Sequence, residues 1–571
     1  MKSTDPSQQD SADSKEESVT NPQRRSFLGG FTAALVGSAV LGHNRANAAN
    51  LPEIEIEPVH SSLAEAEGVD DALRQSIDHV VVIYAENRSF NNLFADFPGL
   101  EKPLAKALAD LPPQLDRNGQ PLRALPKIWG GMVPGSQVVD HTEYHIPEDQ
   151  ISGLANAPFK LVDQQGEPLP QGVVTRDLVH AFYQNQWQIN DGKNDQFVAW
   201  GDSGALVMGY YGNNSGKLRL WHLAREYTLC DNFFMGAFGG SFLNHQYLVA
   251  AHPPYYPNAD KSPASHRIAQ IEGDDATGIK LKLDPSTPES AMMGPAKFVH
   301  STLTPDHWVV NTMTPPYAPT WQLDPNKPGY ADASSDHTLV PQHHDTIGDL
   351  LSRANIDWAW YAGGWAAALE SIDKGSDQFP PRPNFQAHHQ PFNYYRQFEP
   401  GSEARKRHLR DGGVGETPQT NRFMADAAAG KLPAVSYYKP QGNLNMHAGY
   451  SDVDAGDRHI ASVVDVLRNS PQWEKMLVIV TFDENGGWWD HVAPPKGDRW
   501  GPGTRIPAIL MGPHVKRGFV DHSLYDTGSI ARFICRRFGL PKLPGLLERE
   551  LSMVENGGTP PGDLTRALDL G

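Results

Sequence analysis

Two apolar segments, far apart in the chain, end in the same kind of polar side chain. The first covers residues 78–87 and ends in Ala-Glu-Asn, and the second covers residues 475–485 and ends in Phe-Asp-Glu-Asn. Both are short and rich in β-branched residues, which is typical of strands buried on both faces of a parallel sheet. Because ligands of open α/β sheets bind beyond the carboxyl ends of the strands, we expect these polar side chains to meet at one sheet edge.

The residues at these two ends are Glu86, Asn87, Asp483 and Glu484. Their carboxylate and amide oxygens are ligands that hold divalent cations in proteins. The sequence therefore predicts one divalent metal cation and chemistry that this cation assists. An oxygen-rich ligand set favours calcium or magnesium over zinc, but the identity of the metal stays open.

Strand-like and helical patterns alternate through most of the chain. Helices are predicted at residues 346–355 and 457–468, where Asp457 is placed to cap the second helix. Further strands are predicted at residues 226–234, 356–361, 433–438 and 505–511. This alternation predicts an α/β fold with a central, mostly parallel sheet flanked by helices.

Two stretches break the alternation. Residues 251–342 are rich in Pro, Asp, Gly and Ser, and residues 366–430 are a second irregular stretch. We interpret both as long insertions, the first as a cap over the site, in a single catalytic domain that covers residues 49–571. The 47 prolines and 52 glycines of the chain fit this amount of irregular structure.

Charge and cysteine content exclude some classes of function. The formal net charge of -18 argues against binding to nucleic acid or to an anionic membrane, because both require a basic surface. Cys230 and Cys535 are too few for a disulfide-stapled scaffold or a thiolate metal site. We expect two buried thiols, and their redox state stays open.

The first 48 residues have the features of a targeting signal. Gln23-Arg24-Arg25-Ser-Phe-Leu precedes a weakly apolar stretch and the small-residue pattern Ala46-Asn47-Ala48. This resembles a twin-arginine signal peptide. The alternative is a membrane anchor, but the apolar stretch is short and rich in glycine, so we expect no stable membrane insertion. The predicted location is the periplasm or the exterior, reached through the twin-arginine export machinery.

The strongest candidate nucleophile is Ser241, in Gly239-Gly240-Ser241-Phe-Leu-Asn-His. The two glycines allow a tight turn that exposes the hydroxyl at the start of a helix, where amide groups favour bound phosphate. Coordination of the serine hydroxyl to the cation would lower its pKa and activate it. The alternative is a serine that only caps the helix.

Three motifs together resemble a known family. They are Ala-Glu86-Asn87-Arg-Ser-Phe, Gly-Gly-Ser241-Phe-Leu-Asn-His, and Thr-Phe-Asp483-Glu484-Asn-Gly-Gly-Trp-Trp-Asp490-His491. They resemble the bacterial phosphoesterase family, which joins phosphatidylcholine-type phospholipases C with respiratory-burst-inhibiting acid phosphatases around a core similar to alkaline phosphatase. The resemblance extends from about Asp78 to Leu540, and the serine motif is closer to the acid phosphatase branch.

The resemblance implies the roles of individual residues. Ser241 would attack phosphorus and form a phosphoserine, with Asp483 in the catalytic set and His447 as the acid that protonates the leaving alcohol. The cation would be bound by Glu86, Asn87, Ser241, Asp483 and Glu484. The phosphate would be contacted by Asn87, His141, His388 and His389. Two further histidines, His180 and His245, are as readily structural as functional.

The sequence is compatible with three functions. The leading prediction is a periplasmic, metal-dependent acid phosphatase that acts on phosphorylated small molecules. The first alternative is a phospholipase C that cleaves a phosphocholine-type phosphodiester, with aromatic side chains around the quaternary ammonium. The tryptophans considered for that contact are Trp358, Trp360, Trp365, Trp488 and Trp489. The second alternative is a phosphate-binding protein without turnover, against which the complete set of nucleophile and ligand residues counts.

Two other short motifs point to different chemistry. The segment Gly201-Asp202-Ser203-Gly204 is similar to the nucleophile loop of serine proteases, but the all-β context of those enzymes is not predicted here. The segment that begins at Asp452 is similar to a calcium-binding loop, but Val463 stands where that loop needs glutamate. We reject both interpretations.

Overall fold

The computed structural model describes residues 63–273, 275–373 and 384–571, which belong to one structural unit spanning Ser61–Gly571. The predicted signal peptide at residues 1–48 lies outside the described residues. Among the helices that the structure describes, none is long and apolar enough to cross a membrane.

A large central sheet is built from eight strands in the order β13-β6-β12-β11-β1-β10-β8-β9. Adjacent strands from β9 to β11 are all parallel, and β12 runs antiparallel to both of its neighbours. The strands of this sheet are β1 (His79–Ala85), β6 (Thr228–Cys230), β8 (Trp358–Gly363), β9 (Leu409–Gly413), β10 (Val435–Lys439), β11 (Met476–Phe482), β12 (Ala508–Met511) and β13 (Phe519–Asp521). Three small two-stranded sheets contain β2 (Val133–Val139) with β3 (Thr142–Ile146), β4 (Phe159–Lys160) with β5 (Gly209–Tyr210), and β7 (Phe233–Phe234) with β14 (Tyr525–Asp526).

Helices flank this sheet, so the predicted fold class is confirmed: it is an α/β fold with a mostly parallel sheet. The helices are α1 (Leu63–Ser76), α2 (Phe90–Phe94), α3 (Leu104–Ala107), α4 (Phe182–Ile189), α5 (Phe197–Trp200), α6 (Arg219–Glu226), α7 (Ser241–Ala250), α8 (Ile347–Arg353), α9 (Trp365–Asp373), α10 (Glu403–His408), α11 (Arg422–Ala428), α12 (Val453–Arg468), α13 (Gly528–Phe538) and α14 (Pro544–Glu555).

The central strands β1, β8, β10 and β11 lie in the interior of the fold. All residues of β8, β10 and β11 are buried, and so are those of β1 after its first residue. The strand predicted at residues 226–234 is divided in the structure. Helix α6 ends at Glu226, and the rest forms the separate short strands β6 and β7.

Two helix starts show how capping follows the sequence. The side chain of Thr346 accepts a hydrogen bond from the backbone N–H of Asp349, and the Asp349 carboxylate accepts from Thr346 in return. The cap predicted at Asp457 is wrong, because α12 begins earlier and Asp452 caps it. Instead, the Asp457 carboxylate accepts from the backbone N–H groups of Arg219 and Leu220, at the start of α6.

The two predicted insertions differ from one another. Between Ala250 and Ile347, the described residues form the short 3-10 helices Ala259–Lys261 and Pro263–Arg267 but no strand of the central sheet. The stretch at residues 366–430 is less irregular than predicted, because it contains the edge strand β9 and helices α10 and α11. The β9 sequence Leu-Arg-Asp-Gly-Gly lacks an apolar pattern because an edge strand has one neighbour and stays partly exposed.

Both cysteines are free and buried, Cys230 in β6 and Cys535 in α13. Burial raises the pKa of both thiols above the ordinary value, which keeps them protonated and unreactive. They are packing residues of the core.

Candidate active site

The carboxyl ends of β1 and β11 bring the predicted oxygen ligands together. The two strands are parallel neighbours, with Ala85 beside Phe482, so Glu86 and Asp483 follow at the same sheet edge. The backbone N–H of Asn87 donates to Asp483 Oδ1 at 3.0 Å, and Asn87 has the left-handed φ of 58° that asparagine tolerates better than most residues. The expected meeting of the two strand ends is therefore seen in the structure.

Ser241 reaches this edge from the first position of α7. Its Oγ lies 3.3 Å from both Asn87 Oδ1 and Glu484 Oε1. Gly240 occupies the capping position, and Ser241 is inside the helix, so the interpretation as a capping serine is wrong. The preceding Gly239 has a φ of 90°, and a Cβ there would lie 2.6 Å from the backbone of Phe182. This turn therefore requires glycine.

The oxygen cluster has the properties of a cation site. Glu86, Asp483 and Glu484 are fully buried. Burial, together with repulsion between the carboxylates, raises the pKa of Asp483 to about 7 and the pKa of Glu484 well above its ordinary value. Within the part of the chain that the structure describes, no group donates a hydrogen bond to Asp483 Oδ2. His245 Nδ1 lies 3.9 Å from this oxygen. A divalent cation among these oxygens would relieve the repulsion, so the residues present fit the metal that the sequence predicts.

His245 is a buried histidine next to the carboxylate cluster. Its Nδ1 lies 2.7 Å from the backbone oxygen of Ser241, which can only accept, so Nδ1 carries the hydrogen. Burial, followed by the charge of Lys439, lowers the pKa of His245 well below its ordinary value, which keeps the ring neutral. His245 therefore binds to the first turn of its own helix and lies 3.9 Å from Asp483 Oδ2 as a neutral ring.

Two histidines line the same cavity as the serine, His180 and His447. The Nδ1 atoms of His180 and His447 each contact a backbone carbonyl, which leaves both Nε2 atoms available. His180 Nε2 lies 3.7 Å from Glu484 Oε1, and His447 Nε2 lies 3.7 Å from Glu86 Oε2. Their rings meet edge to face, with centroids 5.7 Å apart.

The two rings differ in charge. Burial alone would lower the pKa of His180, but Glu484 and Asp177 outweigh it and raise this pKa to about 9. Burial lowers the pKa of His447, only partly offset by Asp177 and Glu86. Of this pair, His180 is therefore the ring that carries a proton more readily, and His447 is the one that loses it more readily.

The structure separates the other predicted phosphate contacts. His388 lines the cavity beside Ser241. His389 is fully buried behind Glu86, with its Nε2 2.8 Å from Glu86 Oε1, and does not line the cavity. His141 is exposed at the turn between β2 and β3, where Asp140 and His141 have positive φ angles of 49° and 66°. The structure does not bring His141 into this site, because its motif forms a hairpin turn.

The sequence motifs assign no functional role to Lys439, and they leave the role of His180 undecided. Lys439 is the last residue of β10, and its Nζ lies 2.6 Å from Glu86 Oε1. Nothing in the sequence places the strand that ends at Lys439 next to the strand that precedes Glu86. His180 comes just before α4, and the Asn185 side chain of α4 accepts a hydrogen bond from the backbone N–H of Gly239, a contact that only the structure shows.

The site opens into a cavity of about 1230 Å³. Ser241, His180, His388 and His447 line its inner part. The insertion between Ala250 and Ile347 supplies much of the outer wall, with residues His266, Ile268, Gln270, Phe298, His300 and Asn311. The tryptophans considered for an ammonium contact are all buried, and none of the five lines this cavity.

The chain is similar to several known proteins. "Phospholipase C B" of Mycobacterium tuberculosis is 22% identical over 501 residues, which cover 81% of this chain and 74% of that protein. "Non-hemolytic phospholipase C" of Burkholderia pseudomallei is 22% identical over 549 residues, which cover 91% of this chain and 62% of that protein. Among solved structures, a protein in the alkaline phosphatase superfamily from Vibrio parahaemolyticus is 11% identical, with a TM-score of 0.28, and the match covers 66% of this chain and 71% of that one.

The model of the Phosphoesterase family matches residues 77–541, which include every residue of the site described above. The chain therefore belongs to the phosphoesterase family and is a hydrolase that acts on phosphoric esters.

Proposed function

We propose that the protein is a metal-assisted phosphodiesterase of the phospholipase C kind, with Ser241 as nucleophile. One observation carries this proposal: the Ser241 hydroxyl lies 3.3 Å from the oxygens of Asn87 and Glu484, and it lines the same cavity as His180 and His447. The preference for a diester, over the acid phosphatase favoured by the serine motif, is supported by the relatives, which are named phospholipases C. The large cavity also leaves room for a bulky ester.

The cation would be held by oxygens of Glu86, Asn87, Ser241, Asp483 and Glu484. When bound, it supplies positive charge to a phosphoryl oxygen and lowers the pKa of the serine hydroxyl. Ser241 loses its proton to solvent in the open cavity, its oxygen attacks phosphorus, the bond to the leaving alcohol breaks, and a phosphoserine forms. Water then attacks this phosphorus, the bond between phosphorus and the serine oxygen breaks, and the phosphoryl product leaves. The serine oxygen takes a proton from solvent, which restores the hydroxyl.

The two histidines supply charge and protons. The His180 imidazolium balances the negative charge of the phosphodiester, as a fixed cation beside the reacting group does. A bound phosphate adds negative charge close to His447 Nε2, which favours its protonation and lets it donate a proton to the leaving alcohol. In the second step, the same nitrogen accepts a proton from the attacking water. His388, on the cavity wall, completes the positive surroundings of the phosphate.

A phosphomonoesterase is the second candidate, because the motif around Ser241 resembles that of acid phosphatases. Hydrolysis of a phosphocholine diester and of a matched phosphate monoester, each before and after chelation, distinguishes the two. We expect kcat/KM for the diester to exceed that for the monoester by at least about 10-fold, which corresponds to about 1.4 kcal/mol of transition-state stabilisation. The opposite ranking would establish the monoesterase.

Replacement of His180 by glutamine is expected to lower kcat/KM by about 100-fold, in the range that one positioned charge or proton-transfer group contributes. The matched control is His141→Gln, which removes an exposed histidine from a hairpin turn and should leave kcat/KM within about two-fold. Steady-state hydrolysis of the preferred ester measures both. A large loss in the His141 variant, with none in the His180 variant, would restore the assignment made from the motif.

We also infer that the protein is exported through the twin-arginine route, as a single catalytic domain that follows residue 48. Support comes from the paired arginines and the small-residue pattern at residues 46–48. Export in the folded state would allow the metal site to assemble before the protein leaves the cytoplasm.

A further inference from the structure

Lys439 is a fully buried lysine in contact with a proposed metal ligand. Its Nζ lies 2.6 Å from Glu86 Oε1 and 5.2 Å from the centroid of the Tyr84 ring. Strand β10, which ends at Lys439, pairs in parallel with β1, which Glu86 follows, so both side chains reach the same sheet edge. Lysine is almost never fully buried unless it is paired, so the burial of Lys439 depends on its contact with Glu86.

The contacts of Glu86 are divided between its two oxygens. Oε1 lies 2.6 Å from Lys439 Nζ and 2.8 Å from His389 Nε2. Oε2 has longer contacts, 3.5 Å to the Tyr450 hydroxyl and 3.7 Å to His447 Nε2. The close ion contacts of this carboxylate are therefore concentrated on Oε1, whereas Oε2 has only the longer contacts.

Lys439 offsets part of the negative charge of the buried carboxylates. Glu86, Asp483 and Glu484 contribute three negative charges when ionised, and the Lys439 ammonium, in contact with Glu86, contributes one positive charge. Before a cation binds, loss of Lys439 would leave Glu86 without the positive charge that touches it. A buried carboxylate without such a partner is strongly unfavourable in a protein interior.

We propose that Lys439 is a positioning residue, a resident counter-ion that orients Glu86 and lets the carboxylate cluster fold before the divalent cation binds. The inference rests on the metal site of the proposed function and assigns to Lys439 a role that is separate from contact with the substrate. Its effect should therefore appear mainly in the protein without metal.

The test compares melting temperatures of three proteins, each in excess chelator and in excess Mg²⁺ or Ca²⁺. They are the unmodified chain, Lys439→Met, and the double variant Lys439→Met with Glu86→Gln. In chelator, we expect Lys439→Met to melt about 4 °C lower than the unmodified chain, since one partner of a buried pair is removed. The metal-induced rise in melting temperature should be larger in this variant than in the unmodified chain, because the cation then compensates Glu86.

The double variant separates charge compensation from packing. It removes the carboxylate charge together with the ammonium, so in chelator it should recover most of the loss seen in Lys439→Met. A double variant that melts as low as Lys439→Met in chelator, or lower, would overturn the inference. If Lys439→Met cannot be purified folded, the double variant must still be, and failure of both would equally overturn it.

Two further readouts identify which proposal fails. Absence of any metal-induced rise in the unmodified chain would contradict the metal site itself. A normal rise in the unmodified chain, together with an equal rise in Lys439→Met, would contradict only the role of Lys439. At saturating metal, we expect Lys439→Met to lower kcat while KM for the ester stays within about two-fold, whereas a substrate-binding lysine would raise KM.

Discussion

Ser241→Ala is expected to lower kcat by at least about 10⁴-fold, because loss of the nucleophile removes the phosphoserine pathway and leaves only the binding and electrostatic groups. Steady-state hydrolysis of the preferred ester measures this loss. Acid quenching during turnover, followed by mass spectrometry of the intact protein, should show an added phosphoryl mass on the unmodified chain and none on the variant. The melting temperature should change little, since the Ser241 hydroxyl makes only two long contacts, each of 3.3 Å, to Asn87 and Glu484.

The matched control is Ser203→Ala, in the segment that is similar to a serine-protease nucleophile loop. Ser203 is also buried, and its Oγ donates to Asp202 Oδ1 at 2.6 Å. Both variants remove one buried hydroxyl, but Ser203→Ala should keep kcat within about two-fold. If Ser241→Ala retained more than a tenth of the activity, water rather than serine would be the attacking group, and the proposed mechanism would be wrong.

The parts of the site that sequence predicts are those set by local pattern and sheet geometry. The apolar runs before Glu86 and Asp483 identify buried strands, and parallel pairing places the residues that follow them at one edge. The two glycines before Ser241 likewise indicate a tight turn. What the pattern does not encode is strand direction, so nothing in residues 505–511 indicated that β12 would run antiparallel.

The histidines show where local pattern stops being informative. His141 follows Val-Val-Asp and His180 follows Leu-Val, so the two contexts look alike. Their difference is set by distant contacts: His141 lies at a hairpin turn, whereas Gly239 packs against Phe182 and brings the segment of His180 beside the serine. No spacing within either motif encodes that contact.

Charge pairs across the fold are equally hidden from the sequence. A single lysine at a strand end is usually exposed, and Lys439 is buried only because Glu86 lies beside it. Asp457 has an ordinary capping context for its own helix, but it caps α6, far away in the chain. Both residues satisfy groups that a distant segment presents, so their roles can be assigned only from the structure.

Removal of the divalent cation is expected to abolish at least about 99.9% of the activity, because the phosphoryl charge and the serine hydroxyl both lose their main source of activation. The loss should be reversed by added Mg²⁺, Ca²⁺ or Mn²⁺, and the ranking of these ions identifies the preferred metal. Asp483→Asn should abolish the metal-induced rise in melting temperature. The control Asp454→Asn, an exposed carboxylate in the rejected calcium-loop segment, should leave this rise unchanged.

The stability of the metal-free protein should depend on pH in a defined direction. Because burial and Glu86 raise the pKa of Asp483 to about 7 in the folded protein, above the ordinary value of 3.8, the folded state binds more protons than the unfolded state between these two values. The melting temperature in chelator should therefore fall as pH rises from about 4 to about 7 and then level off at this group. A bound cation stabilises the ionised carboxylate, so the metal-induced rise should be greater at pH 8 than at pH 5. Equal rises at the two pH values would show that the cation binds away from these carboxylates.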